Sequence, residues 1–194
     1  MIIVILTLIL QANLITHAQT ITENSHLTFK GIPIDGKLNE FVGKMTKSGF
    51  IHKGTKEGMA ILEGEFATYR GSIVLVSTLT KRDLVNAVAV LFPEQSTWPA
   101  LYSNYLELKN LLTEKYGPPA RSVEEFQSYT PDDDGTKFIK VQLGACNYVT
   151  SFEADNGNIQ LSIEHDGTTS CFVRLLYLDK QNSSETKKSA LNDL

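Results

Sequence analysis

Residues 59–92, MAILEGEFATYRGSIVLVSTLTKRDLVNAVAVLF, decide the fold. Within them Met59–Phe66, Ser72–Leu79 and Leu84–Phe92 are rich in Val, Ile and Leu and follow a period of two, the pattern of side chains on a pleated surface. Tyr69-Arg70-Gly71 and Thr80-Lys81-Arg82-Asp83 read as the turns between them. The stretch from Phe50 to Pro93 is therefore expected to be an antiparallel meander of three or four strands. Apolar residues fall on both faces of Ile73–Val76 and of Ala87–Leu91, which predicts central strands covered by helix on one side and by something else on the other.

Upstream, His26–Lys30 alternates, and Pro33 in Gly31-Ile32-Pro33-Ile34-Asp35-Gly36 forbids a continuing helix. Asp35 is then the expected cap of a first helix over residues 36–48, whose Leu38, Phe41, Val42 and Met45 recur at helical spacing before Gly49 stops it. Downstream a second helix is bounded more sharply. Ser96 or Thr97 can cap it, Pro99 sits in its first turn where a missing N–H costs nothing, and Gly117-Pro118-Pro119 ends it. Trp98, Leu101, Tyr105, Leu108 and Leu112, widened by Tyr102, Leu111 and Tyr116, form its apolar face, read as core packing and not as a ligand-stacking surface.

After a polar stretch, Gln127–Gly135, four further strands are expected at Phe138–Leu143, Tyr148–Ala154, Ile159–Ile163 and Cys171–Leu178. The whole reads as an α+β fold of two tandem units, each a helix with an antiparallel meander, over residues 26–93 and 94–179, with sheets joined or side by side and both helices on one face. A single irregular sheet without internal symmetry is the alternative. Residues 180–194 read as a polar, frayed tail with a weak terminal helix at Lys187–Leu194.

The chain has 194 residues, 42% hydrophobic and 21% charged, with 13 Gly, 6 Pro and 2 Cys. Such a composition excludes a disordered tail, a collagen-like repeat, a polytopic membrane protein and a disulfide-stapled miniprotein. Eighteen basic against 22 acidic residues give a net charge of −4, and no Lys/Arg cluster is denser than Lys187-Lys188, so nucleic acid is excluded as an expected partner. Residues 1–18, MIIVILTLILQANLITHA, lack Asp, Glu, Lys and Arg. Their apolar run is too short to span a bilayer, and they read as an export signal cleaved after Ala18, followed by a polar lead over 19–25. A buried N-terminal element and an uncleaved anchor are the alternatives. The protein is thus expected to be secreted or periplasmic, with no stable membrane span after cleavage.

Export makes a Cys146–Cys171 bridge a question. If Asn156-Gly157 and Asp166-Gly167 are hairpin turns, Cys171 lies near Ile163 and Ile163 near Thr150. The two cysteines are then about 16 Å apart, too far to bond. The bridge stays open only if one of those turns slips.

The chemistry-bearing residues do not assemble into a motif. No Gly-x-Ser-x-Gly elbow, phosphate-binding glycine loop or clustered Cys/His set occurs,. His26, His52 and His165 are scattered, and the Cys171/His165 pair reads as a core thiol beside an exposed turn histidine. Asp132-Asp133-Asp134-Gly135 lacks the alternating ligands and distal Glu of a calcium loop and reads as a solvated acidic turn. Glu63 with Glu65 and Glu124 with Glu125 read as ordinary surface acids. No catalytic, cofactor-binding or metal-binding residue is expected, and no cofactor.

Leu27–Phe50, LTFKGIPIDGKLNEFVGKMTKSGF, and Trp98–Pro118, WPALYSNYLELKNLLTEKYGP, resemble the paired signatures of uncharacterised small exported bacterial proteins, with a GIPIDG lead and a second helix ending in KYGPP. That resemblance carries no known catalytic residues, so it transfers no functional residue to this chain. The duplicated helix-then-meander order is similar, at the level of fold, to β-lactamase-inhibitor-like proteins. Export, a sheet-rich scaffold and no convergent reactive set point to a non-enzymatic protein that binds a macromolecule or envelope component. An envelope hydrolase with a non-motif site and a structural homo-oligomer are the alternatives.

Overall fold

A computed structural model describes residues 26–79, 82–184 and 191. The export signal with its cleavage after Ala18, the lead over 19–25 and, but for Leu191, the expected terminal helix at Lys187–Leu194 lie outside the described residues.

The fold is α+β. A two-strand hairpin, β1 (Thr28–Phe29) and β2 (Ile32–Pro33), precedes helix α1 (Leu38–Lys47) and strands β3 (Ile51–Lys56), β4 (Met59–Phe66), β5 (Tyr69–Thr78) and β6 (Val85–Leu91). Helix α2 (Trp98–Tyr116), strand β7 (Arg121–Phe126), helix α3 (Asp134–Gln142) and strands β8 (Cys146–Ala154), β9 (Gly157–Asp166) and β10 (Ser170–Asp179) follow. The last eight strands form one antiparallel sheet in the order β3-β4-β5-β6-β10-β9-β8-β7. Each half lays its strands down from the edge inward, and the final strands of the two halves meet at the seam. The order is palindromic, with the first strand of each half at an edge and the last at the centre.

Helices α1, α2 and α3 lie on one face. Leu38, Phe41, Val42 and Met45 of α1 are buried, against Ala60, Leu62, Val74 and Val76 of the first half. Trp98, Leu101, Tyr105, Leu108 and Leu112 of α2 are buried over Tyr148, Phe152, Leu161 and Leu175 of the second. The aromatic stripe is core packing, with Trp98 edge-on to Tyr148 at 5.3 Å. Helix α2 starts and stops as its sequence predicts: Thr97 accepts the Ala100 N–H, and Gly117 closes it at φ +85°,.

Several local expectations are corrected. Phe138–Leu143 is not a strand but the body of α3. Asp133 caps that helix by accepting the Thr136 N–H at 2.8 Å, and Val141 is buried while Ile139 and Leu143 stay exposed. The acidic run is a helix start, and the strand that does pair at this edge is β7, read from neither pattern nor turn. Helix α1 is capped not by Asp35 but by Asp83, whose carboxylate accepts the Leu38 N–H from across the fold at 3.1 Å.

The β4–β5 turn is Ala67-Thr68, since Phe66 pairs with Tyr69. Both turn residues take positive φ, +49° and +70°, as a two-residue hairpin requires. Residues 180–184 are not frayed but helical. Buried Asn182 lies within hydrogen-bond reach of the Ile34 and Val85 carbonyls at 3.3 and 2.9 Å.

The register of the last three strands is also displaced. Ile163 pairs with Val173 and Thr150 with Leu161, each two residues from the expectation. The turn is Asp155-Asn156, because Ala154 pairs with Gly157. Gly157 serves packing: a Cβ there would stand 2.4 Å from the Leu178 carbonyl oxygen and 2.8 Å from Leu27 Cδ2.

Candidate functional site

The helices leave the other face of the sheet open, and among the described residues nothing covers it. The register fixes its rows. One runs Ile61, Leu75, Ala89, Leu176, Gln160, Ser151, Arg121 across β4 to β7. The next runs Glu63, Ile73, Leu91, Arg174, Ser162, Val149, Val123, and a third runs Met59, Ser77, Ala87, Leu178, Asn158, Glu153. Side chains on one pleat face alternate with those beneath it, so the same strands that bury Val74, Val76, Val88 and Val90 under α1 and its neighbours present these rows outward,.

The face is divided chemically. From β4 to β10 it is aliphatic, with half-buried Ile61, Ile73, Leu75, Leu91, Leu176 and Leu178. From β9 to β7 it turns polar. At the divide Arg174 pairs with Glu164 at 2.8 Å, and Ser162 donates to the same carboxylate at 2.7 Å. The Arg174 Nε–H is buried and meets no acceptor among the described residues. Three shallow hollows open on this face. The largest, about 410 Å³, is lined by Ser151, Asn158, Gln160, Leu176 and Leu178 among others. The second, about 290 Å³, lies over Ile73, Leu91 and Phe172, and the third, about 190 Å³, over Arg121, Val123, Val149 and Gln160.

Two polar clusters lie on the helix side. Tyr105 donates or accepts at Thr150 Oγ1 (2.6 Å), Ser122 bonds Thr150 (2.8 Å), and Lys109 bonds Ser122 (3.1 Å) and pairs with Glu124. A serine beside a lysine is a nucleophile–base pair only if the amine is neutral. Here the Glu124 carboxylate holds the ammonium. Burial keeps the Tyr105 phenol protonated well above its ordinary range, with Glu124 adding to the effect. The cluster bolts α2 to the β7–β8 edge.

The second cluster surrounds fully buried Asp179. It accepts the Leu27 and Asn182 backbone N–H groups at 2.8 and 2.9 Å and lies 3.1 Å from His26 Nδ1. His26 Nε2 faces Asp35 at 3.4 Å. Burial opposes ionisation of Asp35, yet the Gly36 N–H, the Asn182 amide and the His26 and Lys44 charges hold it below the usual carboxylate value. This cluster ties the N-terminal hairpin to the end of β10.

The residues weighed for chemistry do not converge. Cys171 and His165 stand opposite each other on β10 and β9. His165 Nδ1 lies 2.8 Å from the Gly167 carbonyl, which makes it the donor there, while Cys171 is fully buried. Both cysteines are free thiols. Cys146 lies on β8 and Cys171 on β10 with β9 between them, so the cysteines lie at least two strand spacings apart, about 10 Å, still too far to bond. Burial pushes the Cys146 thiol up to about 12, reinforced by Cys171, and raises Cys171 as well, with Glu94 adding to it.

Glu63 pairs with Lys53 at 3.0 Å and Glu65 meets Arg70 at 3.4 Å. Glu124 and Glu125 point to opposite faces of β7. His52 bonds its own strand at the Gly54 carbonyl. Among the described residues no group of three or more His, Cys, Asp or Glu is arranged to hold a metal ion, and no helix is long and apolar enough to cross a membrane.

Alternation in Ile73–Val76 and Ala87–Leu91 foretold two apolar faces but not that one of them would stand open. The polar half of the face depends on β7 and on the true register, neither of which has a turn signature. No protein-family model matches the chain, and no curated protein and no solved structure matches it.

Proposed function

We propose that this is an exported, non-enzymatic binding protein whose helix-free sheet face takes a macromolecular or envelope partner. One observation carries the reading: a contiguous aliphatic surface across β4, β5, β6 and β10, with a charged and amide-rich flank, is left uncovered among the described residues. Apolar patches of this kind, rimmed by polar groups, are the usual marks of interaction sites. The reactive side chains are meanwhile committed to structure: the thiols are protonated, Lys109 is bound by Glu124, and Asp179 is saturated by donors.

The test is site-specific photo-crosslinking in the native host. A photoreactive residue at Leu75 or Leu176 is expected to trap one recurring partner. The same residue at Leu111, exposed on the outer side of α2, is expected to trap none. Equal labelling from all three positions, or none from the sheet face, overturns the reading. Intact mass of the exported chain tests the export component, which rests on residues 1–18; a chain still carrying Met1 refutes it.

A further inference from the structure

The two edges of the sheet are built differently. At β3 the register breaks between His52 and Gly54. The His52 ring folds over its own strand onto Gly54 and Thr55 at 2.9 and 3.0 Å, and Lys53 and Lys56 line the edge. Bulges and lysines are the ordinary means by which a sheet refuses another strand. β7, its counterpart in the second half, has no such guard. Its six residues, Arg121-Ser122-Val123-Glu124-Glu125-Phe126, pair with β8 without interruption. Arg121, Ser122, Glu124 and Glu125 are exposed.

The hydrogen-bond parity of β7 follows from Gln127, whose N–H donates to the Ala145 carbonyl at 2.9 Å. With the register, this turns the peptide groups of Arg121, Val123 and Glu125 toward β8 and those of Ser122 and Glu124 outward. An incoming antiparallel strand must bond through Ser122 and Glu124. For a second copy of β7 that parity allows only alternate registers. Centred on Glu124, two Glu124 residues oppose directly. Centred on Ser122, Arg121 faces Val123 and Glu125 has no partner.

Centred on Val123, Ser122 bonds Glu124 of the other copy twice over, and Val123 meets Val123 at the axis. Arg121 then lies opposite Glu125 on both sides. Neither Arg121 nor Glu125 has a side-chain partner among the described residues, and opposite charges across a strand pair attract while like charges repel. Glu124, on the other face, brings its own Lys109.

We propose that two copies of this chain associate through β7, antiparallel about a two-fold axis at Val123, so that their sheets continue into one another. The pairing is isologous and closed, since each β7 edge is used up by the other. It extends the polar flank of the open face across the axis and leaves the aliphatic half of each copy free, so it stands whether or not that face binds a partner.

Light scattering and sedimentation of the processed protein test it directly. The expected mass doubles as concentration rises through the micromolar range. Arg121→Glu or Glu125→Arg alone places four like charges around the axis and is expected to weaken association by about tenfold or more. The double exchange, Arg121→Glu with Glu125→Arg, regenerates the complementary pattern and is expected to restore it.

Val123→Cys supplies a readout independent of charge. A non-hydrogen-bonded pair sits about 4.5 Å apart at Cα, close enough for a disulfide. Mild oxidation is expected to give a covalent dimer, whereas Lys53→Cys on the opposite edge gives none. A protein that is monomeric at every concentration, a dimer indifferent to the single exchanges, a double exchange that fails to rescue, or a Val123→Cys variant that forms no covalent dimer overturns the proposal.

Discussion

Replacing Asp179 with alanine removes the acceptor that joins the N-terminal hairpin to the end of β10. Oδ1 takes the Leu27 N–H at 2.8 Å, and Oδ2 takes the Asn182 N–H at 2.9 Å and lies 3.1 Å from His26 Nδ1. The residue is fully buried, so bulk solvent does not reach those donors. An orphaned buried donor costs about 1–3 kcal/mol, and two backbone donors with the lost His26 contact give about 3–5 kcal/mol. With a urea m-value of about 2 kcal/mol/M for a domain of this size, the midpoint of unfolding falls by about 2 M. Asp179→Asn retains one acceptor oxygen and is expected to lose about half as much. In native-state hydrogen exchange the Leu27 amide should lose its protection ahead of β5 and β6. A midpoint change below about 0.5 M for Asp179→Ala refutes the claim that this carboxylate fastens the hairpin to β10.

Four further outcomes follow from the same packing. Thr68→Gly relieves a β-branched residue at φ +70° and is expected to stabilise the protein by about 0.5–1 kcal/mol in urea titration, net of the entropy glycine adds to the unfolded chain. Gly157→Ala drives a Cβ into the Leu178 carbonyl and Leu27 and should cost about 1–3 kcal/mol or more by the same assay. Cys146, with a folded value of about 12 against an ordinary 9, keeps its proton longer in the folded state. Its contribution is complete below about pH 9 and is lost as pH rises toward 12, so Cys146→Ala should flatten the alkaline limb of the stability–pH curve. Asp35, held below 3.8, behaves in the opposite sense: its contribution is complete above that value and disappears as pH falls through the folded one, so Asp35→Asn should flatten the acid limb below about pH 4.

Elements with strong periodicity and chemically marked ends were legible before the structure. The second helix, with Thr97, Pro99 and Gly117, and the Val- and Ile-rich strands β5 and β6 are examples, and the α+β class follows from their order. What was hidden depended on distant partners. Asp83 replaces Asp35 as the cap of α1, which no local pattern can show. Gly157 looks like a turn residue beside Asn156 but is needed where Leu178 and Leu27 crowd the backbone. Phe138-Ile139-Lys140-Val141 reads equally as strand or helix over so short a run, and the Asp133 cap decides it. β7 is short and half-charged because it lies at an edge, so it has little apolar alternation to detect. The open face was half visible: its aliphatic residues could be read, but the register that sets Arg174, Gln160 and Ser151 beside them could not.

The palindromic strand order has a consequence for biogenesis. β6 bonds β5 as soon as its hairpin closes, yet its other side waits for β10, the last strand among the described residues, with Leu91 meeting Arg174. Until then an uncharged, valine- and alanine-rich strand, VNAVAVL, stands with a naked margin and both broad surfaces apolar. Closing so long a loop is slow compared with the local hairpins on either side. A nascent or truncated chain that stops before residue 170 is therefore expected to aggregate through this margin. The first half expressed alone is accordingly expected to aggregate, and the full chain to need its β6 margin shielded until β10 pairs with it.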